Sequence, residues 1–167
     1  DLGVEWYFKR GSVFGVGLFR KDVSNFVVPL VVDVTREVNG EQGLIQPYST
    51  TANGSNAVSQ GVEVYAQHSF DFGLGAQVNF TYNDTSVADI TLDGQTVGKS
   101  ALVGSAKTQV NASVFYETDK FLVRASYIPR GEVVEALQSG LNIYSAPYEQ
   151  VDINASYELM DGLMLTA

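Results

Sequence analysis

The chain has 167 residues, 45% of them hydrophobic, with ten basic against nineteen acidic side chains and a formal net charge of −9. That balance repels a phosphate backbone and argues against nucleic acid as a partner. The longest apolar run, Phe26 to Val32, contains Pro29 and falls far short of the roughly 20 residues of a membrane helix, while the absence of cysteine removes disulfides, thiolate metal sites and thiol nucleophiles.

The apolar residues are instead interleaved with polar ones at a period of two, the signature of strands whose side chains alternate between two faces. In the first segment Leu2, Val4, Trp6 and Phe8 alternate with Asp1, Gly3, Glu5 and Tyr7; in the second, Phe14, Val16 and Leu18 alternate with Gly15, Gly17 and Phe19. Val62, Val64 and Ala66 then oppose Gly61, Glu63, Tyr65 and Gln67. The fourth segment is the cleanest, with Leu74, Ala76, Val78, Phe80 and Tyr82 against Gly75, Gln77, Asn79, Thr81 and Asn83. Val110, Ala112, Val114 and Tyr116 oppose Gln109, Asn111, Ser113 and Phe115, and Phe121, Val123, Ala125 and Tyr127 oppose Leu122, Arg124 and Ser126. Val151, Ile153, Ala155 and Tyr157 oppose Asp152, Asn154 and Ser156, and an eighth segment begins at Leu163. The pattern predicts an all-β, antiparallel meander of about eight strands.

Tight turns suit Lys9-Arg10-Gly11-Ser12, Asp71-Phe72-Gly73, Thr118-Asp119-Lys120 and Met160-Asp161-Gly162, whereas residues 29–57, 85–107 and 128–148 read as long polar loops. Short and long links alternate strictly, as the periplasmic turns and extracellular loops of an outer-membrane barrel do. A soluble β-sandwich binding module also shows alternating strands, but its outer face is rich in Lys and Glu; here the polar face carries Gly, Asn, Gln, Ser and Thr, which suits a hydrated lumen. Strands of about ten residues tilted by about 45° rise roughly 23 Å, close to the apolar band of such barrels. Trp6, Tyr7, Phe8, Phe70, Phe72, Tyr116, Phe121 and Tyr157 flank the short turns, where an interfacial aromatic girdle belongs. Because the first link is short, the first strand runs inward from outside; residues 1–167 are therefore expected to be a fragment of one outer-membrane β-barrel domain, with neighbouring and closing strands absent.

Three stretches carry a family resemblance: Gly15-Val16-Gly17-Leu18-Phe19-Arg20-Lys21-Asp22-Val23-Ser24-Asn25-Phe26, Asn56-Ala57-Val58-Ser59-Gln60-Gly61-Val62-Glu63-Val64-Tyr65 and Tyr148-Glu149-Gln150-Val151-Asp152-Ile153-Asn154-Ala155-Ser156-Tyr157. In order and spacing they resemble the C-terminal barrel of TonB-dependent receptors. The resemblance implies a transmembrane barrel of about 22 strands in the bacterial outer membrane, with outer-membrane lipid, the receptor's own N-terminal plug domain, TonB and a small-molecule ligand as partners. The ligand would be a siderophore, cobalamin, haem or an oligosaccharide, since one architecture serves all of them. A passive porin or structural outer-membrane barrel is the competing expectation.

No catalytic constellation, resident cofactor or metal site is expected, and the chain does not read as an enzyme. His68 lies on the apolar parity near a short turn, without a local nucleophile and acid pattern, and is assigned an interfacial role. Asp84, Asp89, Asp93 and Gly94 miss the spacing of a calcium loop. Loops carry recognition in this architecture, which makes Arg36, Glu37, Tyr48, Arg130, Glu132 and Glu135 the candidate ligand-binding residues.

Overall fold

The computed structural model describes the whole chain apart from the side chains of Arg36, Val38, Ile45 and Gln46. Eight strands form one antiparallel sheet, the wall: β1 (Leu2–Lys9), β2 (Ser12–Val23), β5 (Ala57–Ser69), β6 (Leu74–Thr85), β9 (Thr108–Glu117), β10 (Phe121–Arg130), β13 (Tyr148–Met160) and β14 (Leu163–Thr166), in the spatial order β1-β2-β5-β6-β9-β10-β13-β14. These are the eight alternating segments of the sequence. Each is joined to its neighbour at one end by a short turn, and Gly11, Gly73 and Gly162 adopt the left-handed φ values (72°, 97° and 78°) that those turns demand. β1 and β14 are the two edges of this sheet and do not pair with each other.

The register keeps parity across the wall. One row runs Trp6, Phe14, Ala66, Val78, Ala112, Tyr127, Val151, and the adjoining row runs Gln67, Gln77, Ser113, Ser126, Asp152. Cross-strand partners share a face, so one side of the sheet is apolar and the other polar. The apolar side is left uncovered: Val4 is 71% and Ile153 70% exposed. A sandwich would bury that face against a second layer; an exposed face of this size needs an apolar surrounding.

The three stretches expected as polar loops are instead strand hairpins, which corrects that expectation. β3 (Val27–Val38) and β4 (Glu41–Gly54), β7 (Ala88–Leu92) and β8 (Gln95–Ser100), and β11 (Val133–Gln138) and β12 (Leu141–Ser145) form a six-stranded sheet of order β12-β11-β3-β4-β7-β8. Each tip is a pair of residues at positive φ: Asn39 and Gly40 (55° and 85°), Asp93 and Gly94 (51° and 78°), Ser139 and Gly140 (48° and 79°). Two left-handed central residues define the type I′ turn, whose twist matches that of paired strands. One contact departs from a pure antiparallel meander, because β11 runs parallel to β3 at Leu137–Leu30 and Gln138–Val31.

The largest fully buried apolar side chains among the described residues belong to this lobe. Val28, Leu30, Ala52, Ile90 and Leu137 form its core, with Phe26, Val32, Leu92, Val97 and Val103 packed against it. The sheet curls on itself, since a side chain added at Gly98 of β8 would meet Leu137 of β11 at 2.8 Å. At the junction with the wall, Ser59 Oγ donates to Asn83 Oδ1 (2.8 Å) and Asn83 Nδ2 donates to Ser105 Oγ (2.7 Å).

Candidate functional site

The polar face of the wall is built from side chains that a glycine in the next strand makes room for. Tyr65 lies over Gly15, Phe115 over Gly75 and Phe19 over Gly61, and an added Cβ at Gly15 or Gly75 would come within 2.2 Å of the covering ring. Large rings thus lie flat on the sheet and keep its hydrated side smooth. Arg124 extends the second of these stacks, its guanidinium carbon 5.1 Å from the Phe115 ring centroid. At β1, the hydroxyls of Tyr7 and Tyr65 both donate to the Glu5 carboxylate, tying the edge strand to β5 across Gly15.

Toward the lobe, the same face opens into a concavity of about 390 Å³ lined by Asn79, Thr81, Gln109, Asn111, Arg130 and Tyr148, among others. Arg130 and Tyr148 are partners across β10 and β13, and the Arg130 guanidinium carbon stands 5.5 Å from the Tyr148 ring centroid. The Tyr148 hydroxyl donates to Gln150 Oε1, and Gln150 Nε2 reaches both carboxylate oxygens of Asp152 at 2.8 Å. This surface offers amide and hydroxyl hydrogen bonds, one cation and an aromatic face. Such groups bind and orient a polar ligand.

The structure separates the six candidates. Arg130 is in this concavity. Glu132 follows it in the link to β11, and Glu135 is exposed on β11 at an irregularity between Val134 and Ala136. Glu37 is exposed near the β3–β4 tip, and Tyr48 lies on β4 opposite Val32; Arg36 lies outside the described residues. Tyr148, Gln109, Asn111, Asn79 and Thr81 complete the concavity around Arg130 and were missed as candidates. Their signal was their parity, since all but Tyr148 stand in segments whose polar face was already legible, but parity alone does not say which strand ends meet.

Four of the expected girdle residues, Trp6, Phe8, Phe70 and Phe72, form a continuous chain through His68 at the short-turn end, whereas Tyr7 turns to the polar face and donates to Glu5. Trp6 and Phe8 are 5.1 Å apart by ring centroid, Phe8 stacks on His68 at 5.9 Å, His68 meets Phe70 edge-on at 4.4 Å, and Phe70 stacks on Phe72 at 5.4 Å. His68 Nδ1 and Ser12 Oγ are 2.8 Å apart, and Ser12 is only 3% exposed. The pair forms the polar edge of the girdle. Asp89 pairs with Lys99 at 3.4 Å and Asp93 occupies the β7–β8 tip, so these two acids serve the hairpin.

A ferric enterobactin receptor variant, PfeA of Pseudomonas aeruginosa, superposes with a TM-score of 0.62 at 21% identity, covering 98% of this chain and 24% of that one. A second PfeA variant, in complex with enterobactin, matches equally well. The siderophore receptor PirA of Acinetobacter baumannii gives a TM-score of 0.57 at 20% identity over 95% of this chain and 25% of its own. The chain therefore spans about a quarter of the length of the receptors it resembles. No curated protein sequence matches it. The family model described as TonB dependent receptor-like, beta-barrel matches residues 1–167, and with the open, two-faced wall this places the chain in the TonB-dependent receptor β-barrel family.

Proposed function

We propose that the protein acts in the bacterial outer membrane as an active-uptake receptor, and that this chain supplies part of its barrel wall and extracellular surface. The carrying observation is the match of the receptor-barrel family over the whole chain, supported by a wall with one uncovered apolar face and one hydrated face. In this reading the ligand is captured at the lobe and the Arg130–Tyr148 concavity, and TonB, acting on the plug domain, supplies the energy that moves it inward. The lining favours a polar, aromatic or anionic ligand, because Arg130 offers a charge-assisted hydrogen bond and Tyr148 a stacking face. A siderophore fits that description, as do haem, cobalamin and an oligosaccharide in part; Glu37, Tyr48, Glu132 and Glu135 of the lobe are secondary contacts. The reading is of a transporter and not of an enzyme.

The test is uptake of radiolabelled ferric siderophores by cells carrying the full-length gene, with and without TonB. Accumulation that requires both the gene and TonB is the expected result. Entry independent of TonB would make the protein a passive pore and overturn the proposal.

A further inference from the structure

The apolar face of the wall is not evenly covered. The rows holding Val64, Phe80 and Val110 on one side and Leu74, Tyr116 and Val123 on the other carry no alanine on β5, β6, β9 or β10, while the rows between them place Ala66, Ala76, Ala112 and Ala125 on successive strands, beside Val78 and Val114. A trough of about 690 Å³ opens there, bounded by Phe14 and Tyr127. It begins beside the β1–β2 turn and crosses the strands obliquely as far as Val151 of β13. At its lower end it adjoins a second concavity of about 580 Å³ lined by Lys9, Arg10, Gly11 and Ser12, and the two share Phe8, Val13 and Gln67. Lys9 is held by Asp71 at 2.8 Å, whereas among the described residues Arg10 makes no ion pair.

An apolar trough joined end-on to a cationic cup has the complementarity of an amphiphile with an anionic head. The cup lies at the end bearing the short turns, which in an outer-membrane barrel is the periplasmic end, and the trough climbs from it across the wall. We infer that this face holds one phospholipid of the periplasmic leaflet, its phosphate at Arg10 and an acyl chain in the trough between Phe14 and Tyr127. The cup supplies a charge-assisted hydrogen bond to the phosphate and the trough buries methylene groups more completely than a flat wall does. The inference goes beyond uptake and rests on the wall spanning a bilayer.

Native mass spectrometry of the full-length receptor, purified in a mild non-ionic detergent and exposed to palmitoyl-oleoyl phosphatidylglycerol, tests it. One lipid should remain bound under activation that strips the others. Ala112→Phe, which fills the trough, should abolish that retention, and Arg10→Gln should weaken it about fivefold, the upper worth of one solvent-exposed ion pair. Ile153→Phe, on the same face but outside the trough, should leave it unchanged. Equal retention by Ala112→Phe and wild type, or equal loss in Ile153→Phe, would overturn the site; Ala66→Leu carries the same test should Ala112→Phe not insert. A receptor that inserts into vesicles yet retains no lipid would remove the site and leave the membrane wall standing, whereas a receptor soluble without detergent would remove both.

Discussion

At the scale of single residues the wall is a set of opposed neighbours. Val78 and Gln77 stand side by side on β6 with opposite parity, in the apolar row with Ala66 and Ala112 and in the polar row with Gln67 and Ser113. In the intact receptor, Val78→Arg places a charge in the apolar band at a cost of about 2–4 kcal/mol, while Gln77→Arg reaches the hydrated lumen and folds nearly as well as wild type. Folding free energies in lipid vesicles check this, and equal penalties would mean that the faces are reversed. Gly61 makes a different demand. A Cβ there would lie 1.9 Å from the backbone carbonyl oxygen of Tyr82, and the Phe19 ring covers the same spot. Since backbone must move to admit it, Gly61→Ala should destabilise the receptor by about 1–3 kcal/mol, read as a shift in its urea midpoint in vesicles.

Among the elements, the lobe and the wall are held by different forces. The lobe has a dry core of its own, and Leu137, fully buried, joins β11 to β3 and β8. Leu137→Ala should cost about 2–5 kcal/mol of local stability. Hydrogen exchange should then quicken in β3, β8 and β11 while β5, β6 and β9 keep their protection; loss of protection in both would show that lobe and wall unfold together. The turns at the other end are joined by charge. Lys9 bonds Asp71 of the β5–β6 turn, and this hydrogen bond, with the nearby positive charge, holds the Asp71 carboxyl below its usual value. A depressed carboxylate contributes stability that is present above its unfolded value of about 4 and disappears as pH falls through the folded one. Asp71→Asn should therefore lower stability slightly at neutral pH, make the acid limb of the profile shallower and leave the lowest pH values nearly unchanged, measured by unfolding at a series of pH values from neutral to acidic.

On the scale of the whole molecule, the sheet is open. β1 and β14 lie at opposite edges with six strands between them, and the apolar face runs uninterrupted across all eight. Exposed edges and a bare apolar face are tolerable only where both are covered, the edges by further strands and the face by lipid. In the full-length receptor, Val4→Cys with Leu165→Cys should not form a disulfide on mild oxidation. Val64→Cys with Phe80→Cys, which are register partners about 5 Å apart in such a pair, should cross-link. A Val4–Leu165 bridge would close the eight strands into a small barrel of their own and remove the need for further strands.

The wall was legible from the residues alone: alternation is a local property, each strand reports its own two faces, and the eight segments, their short turns and part of the girdle could be read without knowing which strands met. The sequence also held the three hairpin tips, Asn39-Gly40, Asp93-Gly94 and Ser139-Gly140, but the polar stretches around them read as loops because their alternation is weak and the apolar run of β3 hides that Val28 and Leu30 face the core while Val27 and Pro29 face out. That these hairpins pair with one another emerges from the folded chain alone. β4 meets β7 at Asn53–Thr91, and β11 meets β3 across a separation of more than a hundred residues. The same is true of the concavity. Arg130 was singled out by type, but its stacking on Tyr148 and its place beside Gln109 and Asn111 follow from strand register, which is set jointly by neighbouring strands and is written in no one of them.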